Sequence, residues 1–275
     1  MTQKSFGHWR ILIADTLRLD ESTTFNESDK PYSNYLGDIH PLPSSKATSV
    51  YQAKLNLVDH SVAVFVKHFY LRSKSDHYKQ YLRKSRALKA VAADTLLGRH
   101  GFIAPTTLIV GWQQIYGLKS DFFTVSSALE GYNNIYDQID ALSQLGRKPK
   151  RDFLRALAEI TASLHNNKIS HGDMRPGNVL CKRNDTWKFA YIDNERTKKH
   201  WRLSNQARIK NLVQLNLLIT PSLSRSDRLY FFQTYCERCF GTFNRKLLTQ
   251  VLKKTHERMT RLLKAKRIKQ SDMWL

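Results

Sequence analysis

The residues best suited to chemistry lie in one short segment, His171-Gly172-Asp173-Met174-Arg175-Pro176-Gly177-Asn178. Further along the chain, Asp193 closes the apolar run Ala190-Tyr191-Ile192. The spacing of Asp173 and Asn178 predicts a tight loop with both side chains on one side, and a short hairpin returns Asp193 beside them. Phosphoryl transfer uses this set, because one Asp accepts or orients the hydroxyl proton while an Asn and a second Asp hold Mg²⁺ against the ATP phosphates. The alternative is a surface turn capped by Asp173 and Asn178.

A lysine upstream fits the same chemistry. In Val62-Ala63-Val64-Phe65-Val66-Lys67 the residues alternate as in a strand, and one face carries Ala63, Phe65 and Lys67. A strand lysine of this kind pairs with nucleotide phosphates.

The elements that must position these residues change character along the chain. The first half is rich in strand patterns, and the second half in helical ones. The predicted strands are Trp9–Ala14, Val50–Val58, Ser61–Phe69, Ile109–Trp112 and Phe122–Ser126, with a hairpin at Asp59-His60. The predicted helices are 76–97, Phe153–Leu164, Asn205–Ile219 and Leu247–Leu263, and residues 21–49 are predicted to be a loop. We expect an α+β fold with a seam near 127–131, dividing the chain into 1–128 and 129–275.

The segments HGDMRPGNVL (171–180) and YIDNERT (191–197) together resemble the protein-kinase-like superfamily. The sequence is most similar to the lipopolysaccharide kinase family (Kdo/heptose kinases, WaaP/InaA-like), over about residues 44–220. The resemblance implies a bilobal protein-kinase-like fold, with a β-rich N-lobe that clamps ATP and a helical C-lobe. It also implies transfer of phosphate from ATP, with Mg²⁺, to a Kdo or heptose hydroxyl of the lipopolysaccharide inner core.

Carried over residue by residue, the resemblance makes Asp173 the catalytic base and Asn178 and Asp193 the Mg²⁺ ligands. Lys67 holds the ATP phosphates, and His171 packs under the loop and braces it. Arg175 takes the place of a lysine that touches the transferred phosphate in many protein kinases. The segment Ser127–Gly131, with Leu129 at its centre, becomes the hinge whose backbone binds adenine.

Two features depart from the protein-kinase pattern. No G-x-G-x-x-G precedes Lys67, and the corresponding loop is Ser44-Ser45-Lys46-Ala47-Thr48-Ser49-Val50. Its hydroxyls, its backbone amides (Ser49 and Val50 included) and Lys46 are the candidates for phosphate contact. The helical Glu that usually pairs with the lysine is also missing, so either Asp94 or another carboxylate is expected to hold Lys67.

The segment after Asp193 bears on the acceptor. Peptide kinases need a long activation segment and an A-P-E anchor, whereas here the next helix is predicted about a dozen residues on, and A-P-E is absent. The segment contains Arg196, Lys198, Lys199, His200, Trp201 and Arg202. Its cations suit an anionic glycolipid or sugar acceptor, and Trp201 suits an apolar or sugar face. The alternative is a solvated basic loop.

The charge of the whole chain also indicates an anionic partner. The 275 residues contain 45 Lys and Arg against 23 Asp and Glu, for a net charge of +22. Residues 241–275 combine ten cations with an apolar stripe, a pattern found both in helices on anionic membranes and in helices packed on a core. No RNA-binding module is recognisable, so a nucleic-acid partner is not expected.

No apolar run is long enough to cross a membrane, and only a short apolar run follows the N-terminus. The three cysteines form no disulfide framework, and Cys236-Glu237-Arg238-Cys239 lacks the four ligands of a zinc site, so we expect buried helical thiols. We therefore place the protein in the cytoplasm, with peripheral contact to the inner face of the bacterial inner membrane as an open option.

Three functions remain open from the sequence. The first is a lipopolysaccharide inner-core kinase, and the second is an atypical protein or small-molecule kinase. The third, from another class, is a pseudokinase or an RNA- or membrane-binding scaffold, against which the complete set of Lys67, Asp173, Asn178 and Asp193 argues.

Overall fold

The computed structural model describes residues 1–17, 35–45, 48–70, 85–116 and 118–274. They form two compact units, of which one contains Met1–Thr95 with Pro105–Glu130 and the other contains Leu96–Ala104 with Gly131–Leu275. Residues 96–104 belong to the second unit because Leu97 and Phe102 lie in its core and the Tyr191 amide donates to the Ile103 carbonyl at 2.9 Å. The functional division into an ATP-clamping N-lobe (1–128) and a catalytic C-lobe (129–275) stays a prediction.

The described part of the first unit contains an antiparallel sheet with the strand order β1-β2-β6-β7-β5-β4-β3. The strands are β1 (Thr2–Phe6), β2 (Trp9–Ile13), β3 (Leu36–Ser45), β4 (Thr48–Asn56), β5 (Ser61–Phe69), β6 (Thr107–Ile115) and β7 (Leu118–Ser127). Alternating apolar residues bury one face around Leu55, Val64 and Phe123. The other face packs Val110 and Phe122 against Ala87 of helix α1 (Arg86–Arg99).

The predicted hairpin at Asp59-His60 is confirmed, because β4 and β5 pair from Asn56↔Ser61 to Thr48↔Phe69. The predicted loop over 21–49 is wrong for Leu36–Ser45, which forms β3. This strand lies at the sheet edge, where Pro41 and Pro43 can be tolerated although they donate no hydrogen bond. Residues 21–34 lie outside the described residues.

The helix predicted over 76–97 is described only from its later part. Residues 76–84 lie outside the described residues, and α1 runs on to Arg99 through Gly98. The chain turns at Gly101, whose φ of 76° favours glycine.

The second unit is mainly helical. Its helices are α2 (Ile135–Gln144), α3 (Arg147–Asn166), α4 (Asn205–Asn216), α5 (Arg225–Phe240) and α6 (Arg245–Lys264). Its strands are β8 (Asn133–Asn134), β9 (Ile169–Ser170), β10 (Val179–Arg183), β11 (Trp187–Tyr191) and β12 (Lys198–Lys199). One core packs α2 and α3 against the β10–β11 hairpin, and another joins α3 to α4, α5 and α6.

The helices predicted at Phe153–Leu164, Asn205–Ile219 and Leu247–Leu263 are confirmed as α3, α4 and α6. The prediction missed α2 and α5. In α5 the aromatic and cysteine residues are spread round the helix rather than along one stripe, so its pattern gives a weak helical signal. Cys236 of α5 is buried, Cys239 is half-buried, and both are free thiols.

Candidate active site

The loop that carries Asp173 is enclosed by short elements of the second unit. Strand β9 leads into it, and a 3₁₀ turn at Pro176–Asn178 carries the chain on to the β10–β11 hairpin. Gly172 has a φ of 77°, and a Cβ at this position would overlap the Arg196 carbonyl oxygen. A side chain at position 172 would therefore drive the loop away from the segment that follows Asp193.

The Asp173 carboxylate is held from two directions. Arg175 Nε donates to its Oδ1 and Arg175 Nη2 to its Oδ2, both at 3.0 Å. Gln214 Nε2, from α4, donates to Oδ1 at 3.1 Å. The Asp173 side chain is 18% exposed, so its carboxylate remains accessible within this bonding pattern.

Arg175, expected to touch the transferred phosphate, instead forms this two-pronged ion pair with Asp173. The Arg175 side chain is 56% exposed. The exposed guanidinium is therefore accessible to another anion that arrives beside Asp173.

Asn178 is joined directly to the Asp173 loop. Its Nδ2 donates to the Asp173 carbonyl oxygen at 2.8 Å, which directs Oδ1 away from that carbonyl. Its own carbonyl accepts from the Ile192 amide at 3.0 Å and so ties the loop to the residue before Asp193. Asp193 has left-handed backbone angles (φ 58°, ψ 46°), an uncommon conformation for a non-glycine residue that tends to occur at functional sites.

These oxygens fit a magnesium ion. Mg²⁺ prefers oxygen ligands and is usually held by one or two carboxylates together with water and phosphate oxygens. The Asn178 amide oxygen and the Asp193 carboxylate provide such a partial set. In the described ranges no group of three or more His, Cys, Asp or Glu side chains offers a self-contained metal site.

His171, the first residue of the loop, is fully buried, and its bracing role stays a prediction. Its backbone amide donates to Asn211 Oδ1 at 3.2 Å, and its carbonyl accepts from Thr197 Oγ1 at 3.0 Å. Burial lowers the pKa of the His171 imidazole, although the Asp173 and Asp193 carboxylates act in the opposite direction.

The sequence analysis missed a buried hydrogen-bond chain behind Asp173. Gln214 Oε1 accepts from the Met174 amide at 3.0 Å and from Asn211 Nδ2 at 3.3 Å. Asn211 Oδ1 contacts His165 Nε2 at 3.1 Å, and His165 Nδ1 contacts the Tyr235 hydroxyl at 2.8 Å. Burial lowers the pKa of His165 to about 4. The available signal was that Asn211 and Gln214 place amides three residues apart in a helix with an apolar face.

The nucleotide-binding candidates belong to the first unit. Lys67 lies on β5 between Val50 of β4 and Thr124 of β7, with Nζ 5.3 Å from the Phe69 ring centroid. Leu129 follows β7 and is half-buried, and the adjacent Ala128 amide donates to the Ala63 carbonyl at 2.8 Å. Asp94 accepts from Thr107 Oγ1 at 3.2 Å.

The predicted phosphate loop at Ser44–Val50 needs correction. Ser44 and Ser45 end β3, whereas Ser49 and Val50 lie within β4. Ser45 pairs with Thr48, and Lys46 and Ala47 lie outside the described residues. The Val50 amide already donates to Ser44 Oγ at 2.9 Å.

Comparison with solved structures identifies the fold. This chain is similar to a solved structure described as "WaaP in complex with acyl carrier protein". The matched region covers 79% of this chain and 87% of the other, with a TM-score of 0.53 and 19% sequence identity. The α+β architecture is therefore the protein-kinase-like one that the sequence predicted. No curated protein sequence matches the chain significantly.

The family follows from the sequence itself. The model of the lipopolysaccharide kinase (Kdo/WaaP) family matches residues 47–235, more than half of the chain. The chain belongs to this family and is a lipopolysaccharide kinase, as the resemblance implied.

Proposed function

We propose that this kinase transfers the γ-phosphate of ATP, with Mg²⁺, to a Kdo or heptose hydroxyl of the lipopolysaccharide inner core. The observation that carries the proposal is the bonding of Asn178 Nδ2 to the Asp173 carbonyl, together with the link from Asn178 to Ile192. These contacts join the proposed base to both proposed metal ligands through one rigid loop. Family membership supports a lipopolysaccharide acceptor.

In this proposal Asp173 accepts the proton of the attacking sugar hydroxyl. Gln214 keeps the carboxylate oriented, and Arg175 turns from Asp173 to the transferred phosphate as that group arrives. Asn178 and Asp193 would hold Mg²⁺, and the bound ion would supply neutralisation of the charge that builds up on the phosphates. Lys67 is the proposed phosphate-binding cation of the first unit, with Lys46, Ser49 and Leu129 as further nucleotide contacts.

The test is Mg-ATP turnover with dephosphorylated lipopolysaccharide core as acceptor. We expect acceptor-dependent turnover by the wild type and at least about a 1,000-fold loss in Asp173→Asn and in Asp193→Asn. Asp185→Asn, an exposed carboxylate in the β10–β11 turn, is the matched control and should keep normal turnover. Separate assays with Kdo-terminated and heptose-terminated cores identify the acceptor sugar.

Turnover in Asp173→Asn or Asp193→Asn close to that of the wild type would contradict the site assignment. Phosphorylation of a peptide or a small alcohol in place of the core would favour the atypical kinase function. Thermal unfolding of each variant checks that the loss is chemical rather than structural.

We also propose that helix α6 brings the enzyme to an anionic membrane surface. Its apolar side packs inward, with Leu247 and Val251 in the core shared with α4 and α5, so the apolar stripe supports the fold rather than inserting into lipid. The cations of residues 241–274 are all exposed, namely Arg245, Lys246, Lys253, Lys254, Arg258, Arg261, Lys264, Lys266, Arg267 and Lys269. Basic clusters of this kind are attracted to anionic lipid headgroups. No described helix is both long and apolar enough to span a bilayer.

A further inference from the structure

The segment after Asp193 is fastened along most of its length to strand β9, which leads into the Asp173 loop. Strand β12 pairs with β9, Lys198 opposite Ser170 and Lys199 opposite Ile169. Thr197 Oγ1 donates to the His171 carbonyl, and the His200 amide donates to the Lys168 carbonyl at 2.8 Å. His200 Nε2 also contacts Ser170 Oγ at 2.8 Å. The segment therefore holds a fixed position on β9, with Thr197 next to the Asp173 loop and the residues after it running back along the strand.

The residue at the end of this fastened segment is an exposed tryptophan. Trp201 is 92% exposed, although burying an indole is among the largest hydrophobic gains available to a side chain. Of the cations around it, Lys199 Nζ contacts His100 Nε2 at 2.7 Å, while Lys198 and Arg202 are exposed. No acidic residue occurs between Arg196 and Arg202.

We infer that Trp201, with Lys198 and Arg202, forms a binding platform for the core oligosaccharide that carries the acceptor sugar. This inference rests on the proposed function and names the residues that recognise its substrate. The indole offers a flat, rigid and apolar face to the C–H side of a pyranose ring. The two cations bind carboxylate or phosphate groups on inner-core sugars that neighbour the acceptor sugar.

The shortness of the segment supports this role. Only eleven residues separate Asp193 from α4, and they are used in the turn Asn194–Arg196, in β12 and in the contacts of His200. Little backbone is left to pair with an extended peptide, so the acceptor must be held by side chains. The fastened backbone keeps those side chains in place without help from the acceptor, which lowers the entropic cost of binding.

The test uses the full chain and soluble, deacylated core oligosaccharide, so that membrane binding does not contribute. We expect Trp201→Ala to raise the KM for the oligosaccharide about tenfold while the KM for ATP and the thermal unfolding temperature stay unchanged. Trp201→Phe keeps a flat apolar ring and should recover most of the affinity. Tyr116→Ala, which removes a 99% exposed aromatic side chain of the first unit, is the matched control and should have no effect.

The cations are tested in the same assay. Lys198→Ala combined with Arg202→Ala should weaken binding of a phosphorylated or carboxylated core more than binding of a neutral sugar analogue. Lys188→Ala combined with Lys148→Ala, an equal loss of exposed charge elsewhere in the second unit, should leave both unchanged.

Calorimetric titration of the oligosaccharide, independent of turnover, separates this inference from the proposed function. An unchanged dissociation constant and KM in Trp201→Ala, with normal wild-type turnover, would overturn the platform alone. A wild type that neither binds nor phosphorylates the core would overturn both.

Discussion

The Asp173 carboxylate accepts hydrogen bonds from two side chains that differ in their exposure and in how they are anchored. Arg175 comes from the same loop and is largely exposed, whereas Gln214 is anchored through a buried chain that reaches Tyr235 of α5. In the proposed reaction Arg175 exchanges partners, while Gln214 maintains the orientation of the carboxylate. This division assigns Gln214 a positioning role.

We predict that Gln214→Leu lowers kcat roughly 10- to 100-fold, with the KM for ATP unchanged, because a misdirected base affects the chemical step rather than nucleotide binding. Gln233→Leu, an exposed glutamine of α5, is the control and should retain full activity. Steady-state kinetics with each substrate varied in turn measure the effect. A Gln214→Leu enzyme with normal kcat would remove Gln214 from the site.

His165 predicts a pH dependence of stability. Its pKa is about 4 in the folded protein against 6.5 for the free side chain, so the unfolded chain takes up the proton first as the pH falls. The free energy of unfolding should therefore decrease as the pH falls below about 6.5. The expected decrease is about 2 kcal/mol between pH 7 and pH 5. Urea denaturation of the wild type and of His165→Gln, repeated at several pH values, isolates this contribution. Parallel pH profiles for the two proteins would contradict it.

The sequence could predict that His171, Asp173 and Asn178 share one loop, because they lie within eight consecutive residues. Gln214 was not, since it reaches Asp173 from forty-one residues away through the packing of α4. The partner of Arg175 was also missed, because the sequence alone does not give the rotamer of a long exposed side chain. The assigned roles of these residues stay predictions.

At the level of elements, α3 and α5 are joined by a nearly buried ion pair. Lys150 Nζ lies 2.8 Å from Asp227 Oδ2 and also donates to the Ser222 carbonyl at 2.9 Å. Burial acts to raise the pKa of Asp227, but the hydrogen bonds from Lys150 and Ser224 outweigh it and lower the pKa. Asp227 also completes a capping box with Ser224 at the start of α5.

We predict that Lys150→Met destabilises the protein by about 3 kcal/mol, because it leaves the Asp227 charge buried without its cation. Lys148→Met, on an exposed position of the same helix, should change the free energy of unfolding by less than about 0.5 kcal/mol. Chemical denaturation at pH 7 compares the two. Equal stabilities would show that the pair contributes nothing.

Elements with regular patterns were predicted well, and their ends less well. The β4–β5 hairpin follows from alternating residues on either side of Asp59-His60, and α3 from a single apolar stripe. Strand β3 was missed because its two prolines indicate a loop unless the strand is known to lie at an edge. That knowledge requires the order of the whole sheet, which local sequence does not contain.

At the scale of the whole molecule, only part of the net charge of +22 is available to attract an anionic partner. Some cations already form ion pairs, such as Lys150 with Asp227 and Arg238 with Glu159. The cations of α6 are exposed to solvent, and the acidic residue among them, Glu257, is exposed as well. The surface of α6 is thus the part of the second unit best suited to long-range attraction.

We predict that Lys253→Ser, Lys254→Ser and Arg258→Ser together weaken binding to vesicles rich in phosphatidylserine about 100-fold, since each cation near the surface contributes about 1 kcal/mol. Arg147→Ser, Lys148→Ser and Lys188→Ser together remove the same charge from other exposed positions and should have a much smaller effect. Vesicle co-sedimentation at low and physiological salt measures both. Equal weakening by the two triple variants would indicate that net charge, rather than α6, governs the attraction.

The buried chain behind Asp173 has a spectroscopic consequence. The side-chain amide protons of Gln214 and Asn211 are donated to Asp173 and to Gln214 inside the second unit, with Asn211 fully buried. Such protons should exchange with deuterium far more slowly than those of exposed amides, and their NMR frequencies should report the orientation of the Asp173 carboxylate. Two ordinary amide groups thereby become built-in reporters, able to register the arrival of an acceptor before any phosphate is transferred.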